Sequence, residues 1–301
     1  MPVFKLQPAC KDYLWGGDKL RSEYGVQSEL HPLAEAWVLS CHPSGASLLP
    51  DGTPLAAYLA QNPAALGANC KQFDNFPLLI KLIDAKKDLS IQVHPSDAYA
   101  LQYEHQYGKT EMWVVLEAEP DAFLYYGFKH SITREEFARR IKENTLTEVL
   151  NAVPVKKGDV FFIPSGTLHA ICKGIVIAEI QQNSNVTYRV YDYGRLGADG
   201  KPRALHIEEA LLVTDLNPPT PQDFGGHLGQ CRYFTTDLLQ GETAGTADTS
   251  SFVSLLVTEG RGVLACGGEE IAIQKGNSLF LAAGSGAYAL HGNMTALRTM
   301  C

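Results

Sequence analysis

Short runs rich in apolar and β-branched residues recur along the chain: AEAWVLS, LLIKLI, LSIQVH, EMWVVLEA, AFLYYGF, DVFFIP, IVIAEIQ, TYRVYDY, FVSLLVTEG and SLFLAA. Gly, Pro, Asp and Ser bound them, which is the punctuation of an antiparallel sandwich or barrel. Helical signals are fewer. DGTPLAAYLAQNPAAL and SITREEFARRIKENTLTEVLNAV read as helices, the second opening on Ser131 or Thr133 as N-cap, and HIEEALLV fits a shorter one. The spacing therefore predicts a mainly β protein with a few accompanying helices.

The Pro- and Gly-rich stretch DLNPPTPQDFGG, residues 215–226, reads as a linker, so the expected organisation is a first domain over 1–214 and a second β-rich domain over 227–301. An internal similarity joins the two. KGDVFFIPSGTLHA from Lys157 and KGNSLFLAAGSGAY from Lys275 share Lys-Gly, an apolar strand and a second Gly eight residues after the first. Where the first copy carries His169 the second carries Ala287, so only the first copy keeps a candidate metal ligand.

Composition narrows the function classes. The 301 residues are 45% hydrophobic, enough for a sizeable core, and the 19% charged residues include no long single-sign run. Both observations argue against disorder, and a net charge of −8 argues against a nucleic-acid partner. An anionic substrate would need Lys or Arg placed locally against that field. No apolar run approaches the roughly 20 residues of a membrane span, and MPVFKLQPACKDYLWGG lacks a signal-peptide core, so a cytoplasmic location is expected. Cysteines at 10, 41, 70, 172, 231, 266 and 301 are scattered without CxxC spacing and read as reduced packing residues.

Side chains two apart on a strand share a face, so Gln92 and His94 of SIQVHP point together while Ile91 and Val93 pack the other way. Glu111 opens EMWVVLEA and His169 ends GDVFFIPSGTLH, so separate strand edges offer two imidazoles, a carboxylate and an amide oxygen to one point. That set suits zinc, and iron, manganese or cobalt use the same donors. A single strand histidine is more often a hydrogen-bonded packing residue; the spacing of Gly158, Pro164, Gly166 and His169 strengthens the metal reading. It is the second cupin motif, G-x5-P-x-G-x2-H, with Lys173 where that motif closes on Asn.

Several motifs in order then resemble the type I mannose-6-phosphate isomerases (phosphomannose isomerases) in their short bacterial form: YLWGG, AEAWVLSCHPSG, LSIQVHPSD, GKTEMW, IPSGTLHA and EIQQNSNVTYRVYDYGR. The resemblance runs from about residue 4 to 210. It implies two cupin-like jelly-roll barrels, the first catalytic and the second degenerate, and one Zn(2+) per subunit. Its metal ligands fall on Gln92, His94, Glu111 and His169, the four residues already assembled from strand geometry. Its catalytic or substrate-contacting residues fall on Lys109, Glu179 and Arg189, with Ser90 near the phosphate and Trp15 lining the entrance. Thr110 stands where many relatives have Pro. The activity implied is the interconversion of mannose 6-phosphate and fructose 6-phosphate through a cis-enediol. The partner is a small sugar phosphate, with neither nucleic acid nor membrane.

The bland readings are specific too. Arg189 on TYRVYDY could simply be ion-paired, Lys109 could be a solvated turn residue, Lys86 and Lys87 a solvated turn, and Trp37 core. A non-catalytic cupin that binds sugar phosphates, or another metal-dependent cupin such as an iron oxygenase, stands as the alternative to the isomerase. Lys109, Glu179 and a metal-bound water are all candidates for moving the proton.

Overall fold

Alternation along the β runs decides which side of each strand is buried, and the computed structural model, which describes residues 2–197 and 200–301, bears out the mainly β class. The chain divides into two compact units. One combines the N-terminal segment through Asp12 with Asp18–Leu82 and Asp223–Cys301, and the other combines Tyr13–Gly17 with Ile83–Gln222.

In the first unit the long strands Val253–Cys266 and Gly286–Met300 pair antiparallel, with a register shift between Val257 and Glu259. Around them the strand order is Val3–Leu6, Ser278–Leu281, Val253–Cys266, Gly286–Met300, Thr235–Gln240, Gly229–Gln230. Leu255, Val257, Leu264, Leu279, Leu281 and Leu290 form its core. The same unit holds the pair Ala9–Lys11 and Glu35–Ser40. There Trp37 is buried, as its core reading requires, and its Nε1–H donates to Glu35 Oε2 at 2.6 Å; Lys81 Nζ lies 3.8 Å from that oxygen.

In the second unit a five-stranded sheet runs in the order Tyr188–Tyr191, Ile91–Val93, His169–Ile171, Phe123–Phe128, Leu150–Pro154. The strands Ile175–Gln182, Glu111–Ala118 and Val160–Ile163 pair in that order. These strand orders have open ends, so the jelly-roll barrels expected from the resemblance are sheets rather than closed rings. Short edge strands limit further pairing: Gly229–Gln230 has two residues and Ala9–Lys11 three, and Pro164, with no N–H to donate, follows Val160–Ile163.

The helices follow their start signals more closely than their stops. Thr133 rather than Ser131 is the N-cap: its Oγ1 accepts Glu136 N at 3.1 Å and opens the helix Arg134–Lys142. The helical pattern read through Val153 overruns, because Leu150–Pro154 is a strand paired with Phe123–Phe128. HIEEALLV forms the helix Ile207–Val213, and Asp97–Tyr103 is a helix the periodicity left unassigned. Among the described residues no helix is long and apolar enough to cross a membrane. All seven cysteines are free, and burial pushes the Cys41 and Cys172 thiols up to about 12.

The internal similarity recurs in backbone form. At the same offset lie the strands Val160–Ile163 and Ser278–Leu281, preceded by Gly158 at φ 91° and Gly276 at φ 88° and followed by Gly166 at φ 90° and Gly284 at φ 79°. Each of these is a turn conformation that disfavours other residues.

Candidate metal centre

Ile91 and Val93 are buried with Ala170 and Val190 in the core of the second unit, which sends Gln92 and His94 to the opposite face. Ladder register then sets a row across four strands. Arg189 is opposite Gln92, Gln92 opposite His169, and His169 opposite Tyr126. Residues directly opposite each other in an antiparallel pair share a face, so these four side chains project together. In a separate sheet Trp113 pairs with Glu179 and Glu111 with Gln181, placing both carboxylates on one face.

His94, Glu111 and His169 meet, each buried, with ligand atoms all within 4.8 Å of one another. His94 Nδ1 donates to Val186 O at 2.9 Å, and His169 Nδ1 donates to Thr167 O at 2.8 Å. A carbonyl only accepts, so both rings carry a proton on Nδ1, and the Lys109 ammonium, which only donates, meets His94 Nε2 at 3.2 Å and makes that nitrogen an acceptor. Burial holds the His169 imidazole down at about 4, so this ring is neutral near pH 7; Lys109 lowers it further, while the Thr167 hydrogen bond and Glu179 oppose. His94 Nε2 lies 3.6 Å from Glu111 Oε2 and His169 Nε2 lies 3.4 Å from Glu111 Oε1.

These residues fit a divalent cation. Two donors bonded at about 2.1 Å in a tetrahedral shell are about 3.4 Å apart, close to the 3.4 and 3.6 Å between the Glu111 oxygens and the two imidazole nitrogens. His169 Nε2 makes no hydrogen bond among the described residues, an unusual state for a buried lone pair unless a cation meets it. Anchoring the far ring nitrogen on a backbone carbonyl is also how metal-binding histidines are oriented. Gln92 stands beside His169 in the row, and its Oε1 accepts from Ser90 Oγ at 3.3 Å.

Lys109 is buried against this group. Its ammonium lies 2.8 Å from Glu111 Oε2, 3.2 Å from His94 Nε2 and 3.7 Å from Glu179 Oε1. The solvated-turn reading of Lys109 therefore fails, since a buried ammonium between two carboxylates is held by them. Trp113 Nε1–H donates to Glu179 Oε2 at 3.0 Å and orients that carboxylate. Trp15 is buried, stacks on Tyr13 with centroids 5.6 Å apart, and accepts Lys87 N on its carbonyl. Lys86 and Lys87 are exposed, as a solvated turn requires.

Arg189 donates through Nη1 to Ala204 O at 2.9 Å, and its buried Nε has no hydrogen-bond partner among the described residues. Burial lowers its pKa, Arg203 and Arg195 lower it further, and Asp192 opposes them. Sequence reasoning missed Arg195 and Arg203, which share a single carboxylate: Arg195 Nε lies 3.2 Å from Asp192 Oδ1 and Arg203 Nε 2.6 Å from Oδ2. Arg195 was legible as the last residue of the quoted motif ending YDYGR; Arg203 carried no local signal. One carboxylate among three guanidiniums leaves net positive charge.

Comparison with known proteins follows the same lines. Residues 3–119 match the family model of the type I phosphomannose isomerase catalytic domain, and residues 226–301 match that of the mannose-6-phosphate isomerase cupin domain. A mannose-6-phosphate isomerase of Streptococcus mutans is 38% identical over 93% of this chain and 92% of its own. One of Bacillus subtilis is 35% identical over 97% and 96%. The crystal structure of the mannose 6-phosphate isomerase from Bacillus subtilis superposes with a TM-score of 0.90 at 32% identity, covering 99% of both chains.

Proposed function

The chain belongs to the type I phosphomannose isomerases, and from that premise we propose how its residues interconvert mannose 6-phosphate and fructose 6-phosphate. The observation that carries the assignment of roles is the meeting of His94, Glu111 and His169 around one point with Lys109 and Glu179 beside it. His94, Glu111 and His169 hold one divalent cation, with Gln92 as the neighbouring oxygen donor. We take the ion as zinc, which two imidazoles and a carboxylate hold in catalytic sites that keep an open position. When bound, it acts as a Lewis acid that disperses negative charge developing on the sugar oxygens.

The isomerisation moves a proton between C1 and C2 through a cis-enediol, so a single group on one side of the sugar both removes and returns it. We assign this transfer to Glu179. Its Oε2 is fixed by the Trp113 N–H, leaving Oε1 to carry the proton. Lys109 Nζ, 3.7 Å from that Oε1, is the second candidate and also supplies positive charge beside the developing enediolate. Arg189, Arg195 and Arg203 give the local cationic field that a sugar phosphate requires in a chain of net charge −8. Ser90, buried and hydrogen-bonded to Gln92, orders that neighbouring amide.

The test is an isomerase assay on metal-loaded and chelated protein, with metal analysis alongside. Turnover of mannose 6-phosphate that disappears on chelation and returns with zinc is expected. Metal-replete protein that binds the sugar phosphate without converting it would refute the reading and leave a binding module. His169→Ala should lower bound metal and rate together; loss of stability at unchanged metal content would return His169 to a packing role.

A further inference from the structure

Lys109 and Glu111, which the mechanism above needs at the cation, both hang from the short stretch Gly108–Glu111 at the start of a strand. The ladder that should hold this stretch ends at the pair Gln181 and Glu111. One step further, Gln182 N still donates to Thr110 O at 3.1 Å. The return bond is lost, because the Gln182 carbonyl has turned away and accepts Gln181 Nε2 and Ser184 N, each at 2.7 Å. Thr110 N–H would therefore be left without its ladder partner in a half-buried place.

The Gln182 side chain takes over. Its Oε1 accepts Thr110 N at 2.7 Å, and its Nε2 donates to Asp97 Oδ1 at 2.8 Å. The same Asp97 Oδ1 accepts Gly108 N at 2.7 Å. Between them, Lys109 N donates to Pro95 O at 3.0 Å, so three successive backbone N–H groups are tied down. The orientation of the Gln182 amide follows from chemistry, since a backbone N–H only donates and a carboxylate only accepts. Gln182 is 2% exposed. Gly108 lies so close that an added Cβ would sit 2.4 Å from Ser96 C and Asp97 N.

We propose that Gln182 and Asp97 are positioning residues whose shared hydrogen bonds set where the Lys109 ammonium and the Glu111 carboxylate stand relative to the two imidazoles. Neither touches the cation or the sugar; they act through the backbone of residues 108–110. Outer partners of this kind are worth about 10–100-fold in metal affinity or rate, and a displacement of about 1 Å at a reacting group costs up to about 100-fold. The inference rests on the site reading above.

The experiment compares Asp97→Ala, Asp97→Asn and Gln182→Met in the full chain. Zinc affinity is read by competition with a chromogenic chelator, and kcat and KM with mannose 6-phosphate are measured on zinc-loaded protein. Asp97→Ala and Gln182→Met are expected to weaken zinc binding and lower kcat by about 10–100-fold, with KM changing by less than about threefold. Asp97→Asn keeps an Oδ1 able to accept both bonds and should stay within about threefold of the parent. Wild-type zinc affinity and kcat in both disrupted variants, with only melting temperature lowered, would overturn the proposal. So would Asp97→Asn as impaired as Asp97→Ala. Gln182→Met nearly conserves volume and carries the same test should Asp97→Ala not fold. A parent protein inactive on mannose 6-phosphate would sink the function reading alone, because the zinc competition decides the clamp without turnover.

Discussion

Lys109→Met removes one positive charge from a buried group and leaves the volume of its stem. In the folded protein Lys109 is 3% exposed, and its ammonium lies 2.8 Å from Glu111 and 3.7 Å from Glu179. Breaking a buried ion pair from one side costs about 3–5 kcal/mol, because the remaining carboxylates lose their nearest counter-charge in a place with little water. For a unit of this size each kcal/mol moves the melting temperature by about 2–4 °C, so the chelated variant should melt roughly 10 °C below the parent. A divalent cation bound by His94, Glu111 and His169 restores the missing charge. Zinc also meets no competing ammonium there, so it should stabilise the variant more than it stabilises the parent; saturation at 100 times Kd alone is worth about 2.7 kcal/mol. Thermal melts in chelator and in zinc, for both proteins, read the effect. If the chelated variant melts within about 2 °C of the parent, or zinc raises both equally, the electrostatic account of this centre is wrong.

Asp192 offers a pH test. Burial on its own pushes its carboxyl up, but Arg203 and Arg195 outweigh it and hold the group below the ordinary 3.8. The folded-state value is thus lower than the unfolded one, so the stabilisation is complete above that ordinary value and is lost as pH falls below it. Acid unfolding followed by circular dichroism should show Asp192→Asn less stable at neutral pH and less dependent on pH in the acid range; parallel curves for the two proteins would contradict this. The repeated glycines give a paired comparison. Gly158→Ala and Gly276→Ala both place a Cβ at positive φ, costing about 1–2 kcal/mol. Around Gly158 there is open space, whereas a Cβ on Gly276 would lie 1.9 Å from Tyr24 O. Urea denaturation should therefore find Gly276→Ala the costlier by a clear margin, and equal losses would mean backbone strain alone decides.

Short-range chemistry is legible in the sequence. The alternation in SIQVHP puts Gln92 and His94 on one face, and the helix start narrows to Ser131 or Thr133, of which Thr133 caps it. Each of these depends on a few neighbouring residues, so a linear string suffices to specify it. What lay beyond that range did not show. Leu150–Pro154 carries a helix-compatible pattern yet is a strand, because Phe123–Phe128 offers it a ladder. Gln182 reaches Thr110 and Asp97 across separations of 72 and 85 residues, and Arg203 meets Asp192 without any motif to announce it. Sequence alone determined the residue types able to bind a cation and the strand faces they occupy. Only the tertiary structure decided that Lys109 is buried among two carboxylates and an imidazole, because strand register, set by the packing of the whole sheet, fixes which distant side chains become neighbours.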